Sequence, residues 1–276
     1  MWLVKGNYLI MSHPSKNNIA ILKDRGILQI TGADSRSFLQ SLVSNDMDAL
    51  TPETPLYSCL LTPQGKVLFD FFLYQIPHAI LIDVSRESLP LLEKRLGFYK
   101  LRADVTITPS DMTISAIWAD EPSVPAEFIF QDPRHPALGC RALNLAPDLA
   151  TQTLNEYSQH RLALGICEGQ IEIDPDNAFP LEYGLDQLNA IAFQKGCFIG
   201  QEVTSRAYRK GQLRKKVFPI AINGNAEIGD IIKTGDRRVG EIRAICEDQA
   251  AALIRLDALQ ETLTTDHANI EIKIVE

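Results

Sequence analysis

Over residues 1–110 the apolar positions alternate between two spacings. Ile27 to Thr31, Leu56 to Thr62, Val67 to Ile76, His78 to Val84 and Val105 to Thr108 predict strands. The turn Pro63-Gln64-Gly65-Lys66 joins the second run to the third. Between the first two runs, Phe38, Leu39, Leu42 and Val43 recur at helical spacing behind a cap at Asp34 or Ser35, and Asn45-Asp46 closes that helix. Leu89, Leu92 and Leu96 mark a second helix from Glu87 to Leu96. Strands covered by helices on one face predict an α+β sheet domain.

The pattern then changes. Met112 to Leu145 reads as strand-like around a proline- and acid-rich loop at Glu121 to Pro125, followed by a helix from about Leu149 to Leu164. Gly165 to Pro180 is loop-rich and holds Glu168, Glu172, Asp174 and Asp176. From residue 211, short strands separated by glycine turns (Val217 to Ile222, Ile231 to Lys233, Val239 to Ile245, Ala251 to Leu256, Ala268 to Val275) predict a small C-terminal β-barrel.

With 45% hydrophobic and 22% charged residues in 276, the composition is that of a soluble globular protein of one to three domains. A net charge of −8 argues against a general nucleic-acid coat. No apolar run is long enough to span a membrane, and Met1 to Ile10 lacks the features of a secretory signal, so the expected location is cytoplasmic. The five cysteines form no C-x-x-C pair, and Cys59 and Cys246 sit in strand-like runs as small buried hydrophobes. The histidines show no metal-ligand spacing, and no Ser-His-Asp signature, P-loop or dinucleotide fingerprint is present.

Candidate chemistry concentrates in Lys195-Gly196-Cys197-Phe198-Ile199-Gly200-Gln201-Glu202. Two glycines bracket a thiol, with a lysine before it and a helix predicted to open at Gly200. Cys197 is then a nucleophile, a redox thiol or one ligand of a shared metal cluster; otherwise it is a buried cysteine in a tight turn. Arg206, Arg209, Lys210, Arg214, Lys215 and Lys216 form a cationic run, read either as a solvated helix face or as an anion site. Asp70 interrupts the apolar run Val67 to Leu73, sharing a face with Leu68 and Phe72. It lies at a sheet edge, is hydrogen-bonded in a cleft, or has a raised pKa. Glu172 and Glu182, flanked by apolar residues, are similar candidates; the alternative is a solvent-facing loop position, the reading preferred for Glu172.

The motif at 195–202 matches the K-G-C-[FY]-x-G-Q-E signature of the YgfZ family, folate-binding relatives of the glycine-cleavage T-protein (aminomethyltransferase). Gly32-Ala33-Asp34, Phe38-Leu39-Gln40, Thr62-Pro63-Gln64-Gly65-Lys66, Leu101-Arg102-Ala103-Asp104-Val105, Asp132-Pro133-Arg134, Phe179-Pro180-Leu181-Glu182 and Gly211-Gln212-Leu213-Arg214-Lys215 extend the resemblance over most of the chain. The resemblance implies an α+β fold of three domains in a ring. A ferredoxin-like N-terminal sheet domain (1–110, completed by part of 165–210) binds folate, a middle α+β domain covers 111–165, and the barrel covers 211–276. It implies tetrahydrofolate or another folate as cofactor, with Asp70, Glu172, Lys195, Cys197, Gln201, Arg206 and Arg214 as its contacts. T-proteins carry an acid pair where this chain has Phe69-Asp70, so only the second acid is kept. The cations between Arg206 and Lys216 would neutralise a polyglutamate tail.

Three readings follow. The leading one is a folate-binding accessory factor for iron–sulfur cluster assembly or repair. Its partners would be assembly proteins and client enzymes such as tRNA-modifying enzymes, and Cys197 its working thiol. The alternative is a tetrahydrofolate-dependent aminomethyl- or methyltransferase that uses Asp70 as catalytic acid. A tRNA-binding module on the basic run ranks last, given the acidic overall charge.

Overall fold

The computed structural model of the chain describes residues 17–118, 124–211 and 213–273. The readings made on Met1 to Ile10, on part of the Glu121 to Pro125 loop, on Gln212 and on Val275 lie outside these residues.

The first two strands go to different sheets. β1 (Asn18–Ile21), which the sequence pattern does not reveal, leaves the unit that follows it. β2 (Arg25–Thr31), α1 (Ser35–Leu42), β3 (Leu56–Leu61), β4 (Val67–Ile76), β5 (Ala79–Ser85), α2 (Leu89–Lys100) and β6 (Thr106–Ser110) make one antiparallel sheet in the order β3-β4-β5-β2-β6. The order β4-β5-β2-β6, with a helix after β2 and another after β5, is ferredoxin-like, and β3 is added at the edge. Alternate residues divide its two faces. Phe69, Phe71 and Leu73 of β4 pack with Phe38 and Leu39 of α1 and Leu92 and Leu96 of α2. Phe72 and Tyr74 point the other way, into a core shared with the next sheet.

That second sheet contains β7 (Ile114–Trp118), β8 (Phe128–Gln131) and β9 (Cys140–Leu143) in the order β1-β7-β9-β8. α3 (Leu154–Ala163) starts later than its apolar pattern predicts because Thr153 and Glu156 form a capping box there. Pro147 to Leu149 make only a 3₁₀ turn. A short α4 (Gly169–Glu172) and the exposed α5 (Gln201–Lys210) follow.

The predicted barrel is present. β10 (Lys215–Gly224), β11 (Ile231–Thr234), β12 (Arg237–Cys246), β13 (Gln249–Arg255), β14 (Leu263–Thr264) and β15 (Ala268–Ile272) close in the order β10-β13-β12-β11-β14-β15. Closure depends on the length of β10, whose first half pairs with β13 and whose second half pairs with β15. Ile220, Ile232, Ile242, Ile254 and Ile270 fill the interior.

Candidate functional site

Three anchors hold the loop that carries Cys197. Lys195 is buried, and its Nζ donates to the carbonyls of Gln40 (2.8 Å), Val43 (2.8 Å) and Asn45 (2.7 Å). These carbonyls lie at and just beyond the C-terminal end of α1, where backbone acceptors lack helical partners. Burial is the larger influence and lowers the Lys195 pKa to about 8, against the opposing attraction of Asp46 and Asp48. Phe198 is buried in the central core, its ring centroid 5.2 Å from the same ammonium. Gly200 has φ +82°, and a Cβ there would sit 2.6 Å from the Thr62 carbonyl oxygen, so the position requires glycine. Gly196 faces open space instead.

Between these anchors only Gly196 and Cys197 are exposed. Cys59, Cys140 and Cys167 are buried and Cys246 is half-buried, which leaves Cys197 as the exposed thiol. The thiol is presented, not packed. Lys195, adjacent in sequence, turns inward and spends its three N–H donors on backbone. Among the described residues no group of three or more metal-ligating side chains exists.

Asp70 occupies a different environment. It lies on β4, which β3 and β5 flank, so the sheet-edge reading is wrong. Leu68 belongs to the helix-side core, so Asp70 shares its face with Phe72 and not with Leu68. Its carboxylate is 3% exposed and accepts hydrogen bonds from Tyr57 Oη (2.9 Å) and the Gly169 N–H (3.0 Å). Burial raises its pKa; Arg25 opposes the rise and Glu168 adds to it.

Around Asp70 lies a buried ionic network. Asp83 accepts from Arg25 Nε (2.7 Å), Arg141 Nη1 (3.1 Å) and Tyr74 Oη (3.1 Å). Arg134 pairs with Asp132 and Glu168, and Arg141 lies 3.8 Å from the Phe72 ring centroid. Burial alone would raise the pKa of Glu168, but Arg161, Arg134, Arg25 and Arg141 together hold it far below the usual carboxylate range. Glu172 accepts both Nη groups of Arg161 at 2.7 Å and the Glu168 N–H at 2.8 Å, so it is not a solvent-facing loop acid. Sequence reasoning missed Arg25, Asp83, Arg141 and Arg161. The available signal was a charge inside an apolar strand run, as in Leu81-Ile82-Asp83-Val84 and Cys140-Arg141-Ala142-Leu143.

The remaining candidates lie at the surface. Gln201 opens α5 and shares a shallow depression with Arg206, whose Nη2 is 2.6 Å from Glu202 Oε1. Arg214 lines a groove of about 530 Å³ with Phe179, Leu181, Val203 and Tyr208. Arg206, Arg209 and Lys210 are exposed on α5, as a solvated helix face requires. Glu182 lines the same groove, and burial raises its pKa.

A pterin needs free carboxylate lone pairs and an open slot. Asp70 is buried, with each oxygen already accepting one hydrogen bond, Glu172 is held by Arg161, and guanidinium groups lie over Phe72. As arranged, these residues do not fit a folate.

Residues 214–276 match the family described as CAF17, C-terminal beta-barrel domain. The chain is 32% identical over 228 residues to the mitochondrial iron–sulfur cluster assembly factor IBA57 homolog of Mycosarcoma maydis, covering 74% of this chain and 57% of that protein. It thus spans less than two thirds of the fungal protein's length. Mitochondrial IBA57 of Mus musculus is 30% identical over 259 residues, covering 80% of this chain and 72% of its own. The glycine cleavage aminomethyltransferase T of Bartonella henselae superimposes with a TM-score of 0.75 at 12% identity, covering 94% of this chain and 85% of that one. That likeness confirms the T-protein-like fold. The relatives carry the IBA57 name and not that of YgfZ, and they are mitochondrial, which overturns the expected cytoplasmic location. The chain belongs to the IBA57 family of iron–sulfur cluster assembly factors.

Proposed function

We propose that this chain acts in iron–sulfur cluster assembly by offering Cys197 as one ligand to a cluster whose other ligands come from a partner protein. The cluster is cargo. The supporting observation is the exposure of Cys197 between buried anchors at Lys195 and Phe198. Iron–sulfur clusters are held mainly by cysteine thiolates, commonly four, and one thiol supplies one of them. Among the described residues no group of three or more metal-ligating side chains exists, so this reading has a partner bring the remaining ligands. Clients on this reading are iron–sulfur enzymes, tRNA-modifying enzymes among them. The enclosed Asp70 gives aminomethyl transfer no support, and no step here runs through a folate.

The test is Cys197→Ser in cells that depend on this protein, with the activity of cluster-containing tRNA-modifying enzymes as readout. An exposed side chain leaves folding intact, so the purified variant should unfold at the wild-type midpoint while client activity falls to the level of the null strain. Wild-type client activity in the variant would sink the thiol's role.

A further inference from the structure

Cys197 has little freedom, and the contacts that remove it are unusual. The loop is tied to three separate parts of the fold: Lys195 to the end of α1, Phe198 to the central core, and Gly200 against the turn at 62–66. Two of these ties are packing. The first is a charge whose three hydrogen bonds all go to backbone.

We propose that Lys195 is a positioning residue, whose ammonium pins the Cys197 loop to the C-terminal end of α1 and so fixes where the thiol is offered to a partner. This deepens the assembly reading and rests on it. An ammonium has three donors and no acceptor, and here three carbonyls take all three. Those carbonyls sit at the negative end of the α1 dipole, which favours a cation there. The charged groups that act on Lys195 are Asp46 and Asp48, on the segment just after α1, and neither forms an ion pair with it among the described residues. α1 itself ends without a basic residue in its last turn, so the distant Lys195 supplies the missing cation. The geometry also assigns the lysine a task different from donating to its neighbour, because all three of its donors are taken by backbone carbonyls.

The arrangement explains why only two residues of the loop are exposed. With 195 and 198 fixed, Cys197 hangs on a tether of one glycine. Without the Lys195 ammonium tie, the N-terminal side of that tether is held by the Lys195 N–H on the Ala192 carbonyl, the Ala192 N–H on the Ser44 carbonyl and the Phe193 ring stacked on Tyr208. A displacement of about 1 Å in a reacting group costs up to roughly 100-fold in rate. The position of this thiol is therefore a quantity worth fixing.

The experiment places a nitroxide spin label on Cys197 and compares wild type, Lys195→Met and Lys195→Arg. Lys195→Met keeps the aliphatic stem and removes the donors; Lys195→Arg keeps the charge and supplies donors. The expected result is an immobilised spectrum in wild type, a mobile one in Lys195→Met, and substantial recovery of immobilisation in Lys195→Arg. In cells, client-enzyme activity should fall at least about tenfold in Lys195→Met and partly recover in Lys195→Arg. If Lys195→Met fails to fold, Lys195→Gln, whose shorter uncharged side chain cannot satisfy all three carbonyls, carries the same label: a mobile spectrum supports the tie and an immobilised one overturns it. An immobile label in folded Lys195→Met overturns it outright. The spin-label readout needs no cluster. A wild-type phenotype for Cys197→Ser would therefore remove the assembly reading and leave the label result standing, whereas a mobile wild-type label removes only the positioning role.

Discussion

Asp83 gives the sharpest test of the buried network. Its carboxylate is 0% exposed and carries bonds from Arg25, Arg141 and Tyr74. Asp83→Asn keeps the shape, removes the charge and leaves two guanidinium groups buried without it. Breaking one buried ion pair costs about 3–5 kcal/mol. Two pairs meet at Asp83, but the damage is less than double. Arg25 keeps a 2.8 Å bond from Nη2 to the Asp83 carbonyl, and Arg141 keeps Asp132 at 3.9 Å. The expected loss is therefore about 4 kcal/mol, a fall in the thermal midpoint of roughly 8–16 °C for a chain of this size. Urea and thermal unfolding followed by circular dichroism measure both. Adding Arg141→Met should restore part of the loss, because it removes one stranded cation whose Nε and Nη2 already lack hydrogen-bond partners. A loss below about 1 kcal/mol, or an Arg141→Met change that adds to the damage, would refute the account of Asp83 as the common counter-charge.

Two further predictions concern the same elements. Asp70 is surplus to the pairing of Asp83, Asp132, Glu168 and Glu172 with the four arginines, and its raised pKa means that ionisation opposes folding. Asp70→Asn can accept from Gly169 N–H and donate to Tyr57 Oη, so stability at pH 7 should hold or rise. Any gain should fade as pH falls and the wild-type carboxyl protonates, and a loss above about 2 kcal/mol at pH 7 by urea unfolding contradicts this. Gly200→Ala should cost about 2 kcal/mol or more, from positive φ and contact with the Thr62 carbonyl, while Gly196→Ala should change stability by less than about 0.5 kcal/mol. Equal midpoints for the two alanine variants would show that the loop is not anchored at Gly200.

The first sheet and the barrel were legible because their strands carry local signals: apolar runs, glycine turns and, at β4, ten residues of continuous pattern. β1 was not, since four residues hold no period and its partner lies far along the chain. The site was legible only in part. The cysteine motif stood out, but the same letters fit a presented thiol and a packed one, and exposure depends on what Lys195 and Phe198 reach. For Asp70 the apolar neighbours left a sheet edge, a hydrogen-bonded position and a raised pKa all open, because the groups that accommodate it, Tyr57 and Gly169, come from other elements. A buried ion network assembled from Arg25, Asp83, Arg134 and Arg141 has no sequence spacing at all.

The pairing of β1 with β7 also orders events in time. Asn18 lies opposite Trp118 and Ile21 opposite Ser115, so the strand made near the start of the chain waits for one made about a hundred residues later. At a synthesis rate of about 5–20 residues per second, that wait is roughly 5–20 s. In the interval β2 to β6 emerge and their sheet can close with its helices, leaving β1 as a bare edge beside a finished neighbour. The second sheet, and with it the ionic centre that needs Arg134 and Arg141, is therefore a late product of synthesis, and the growing chain carries an exposed strand until it forms.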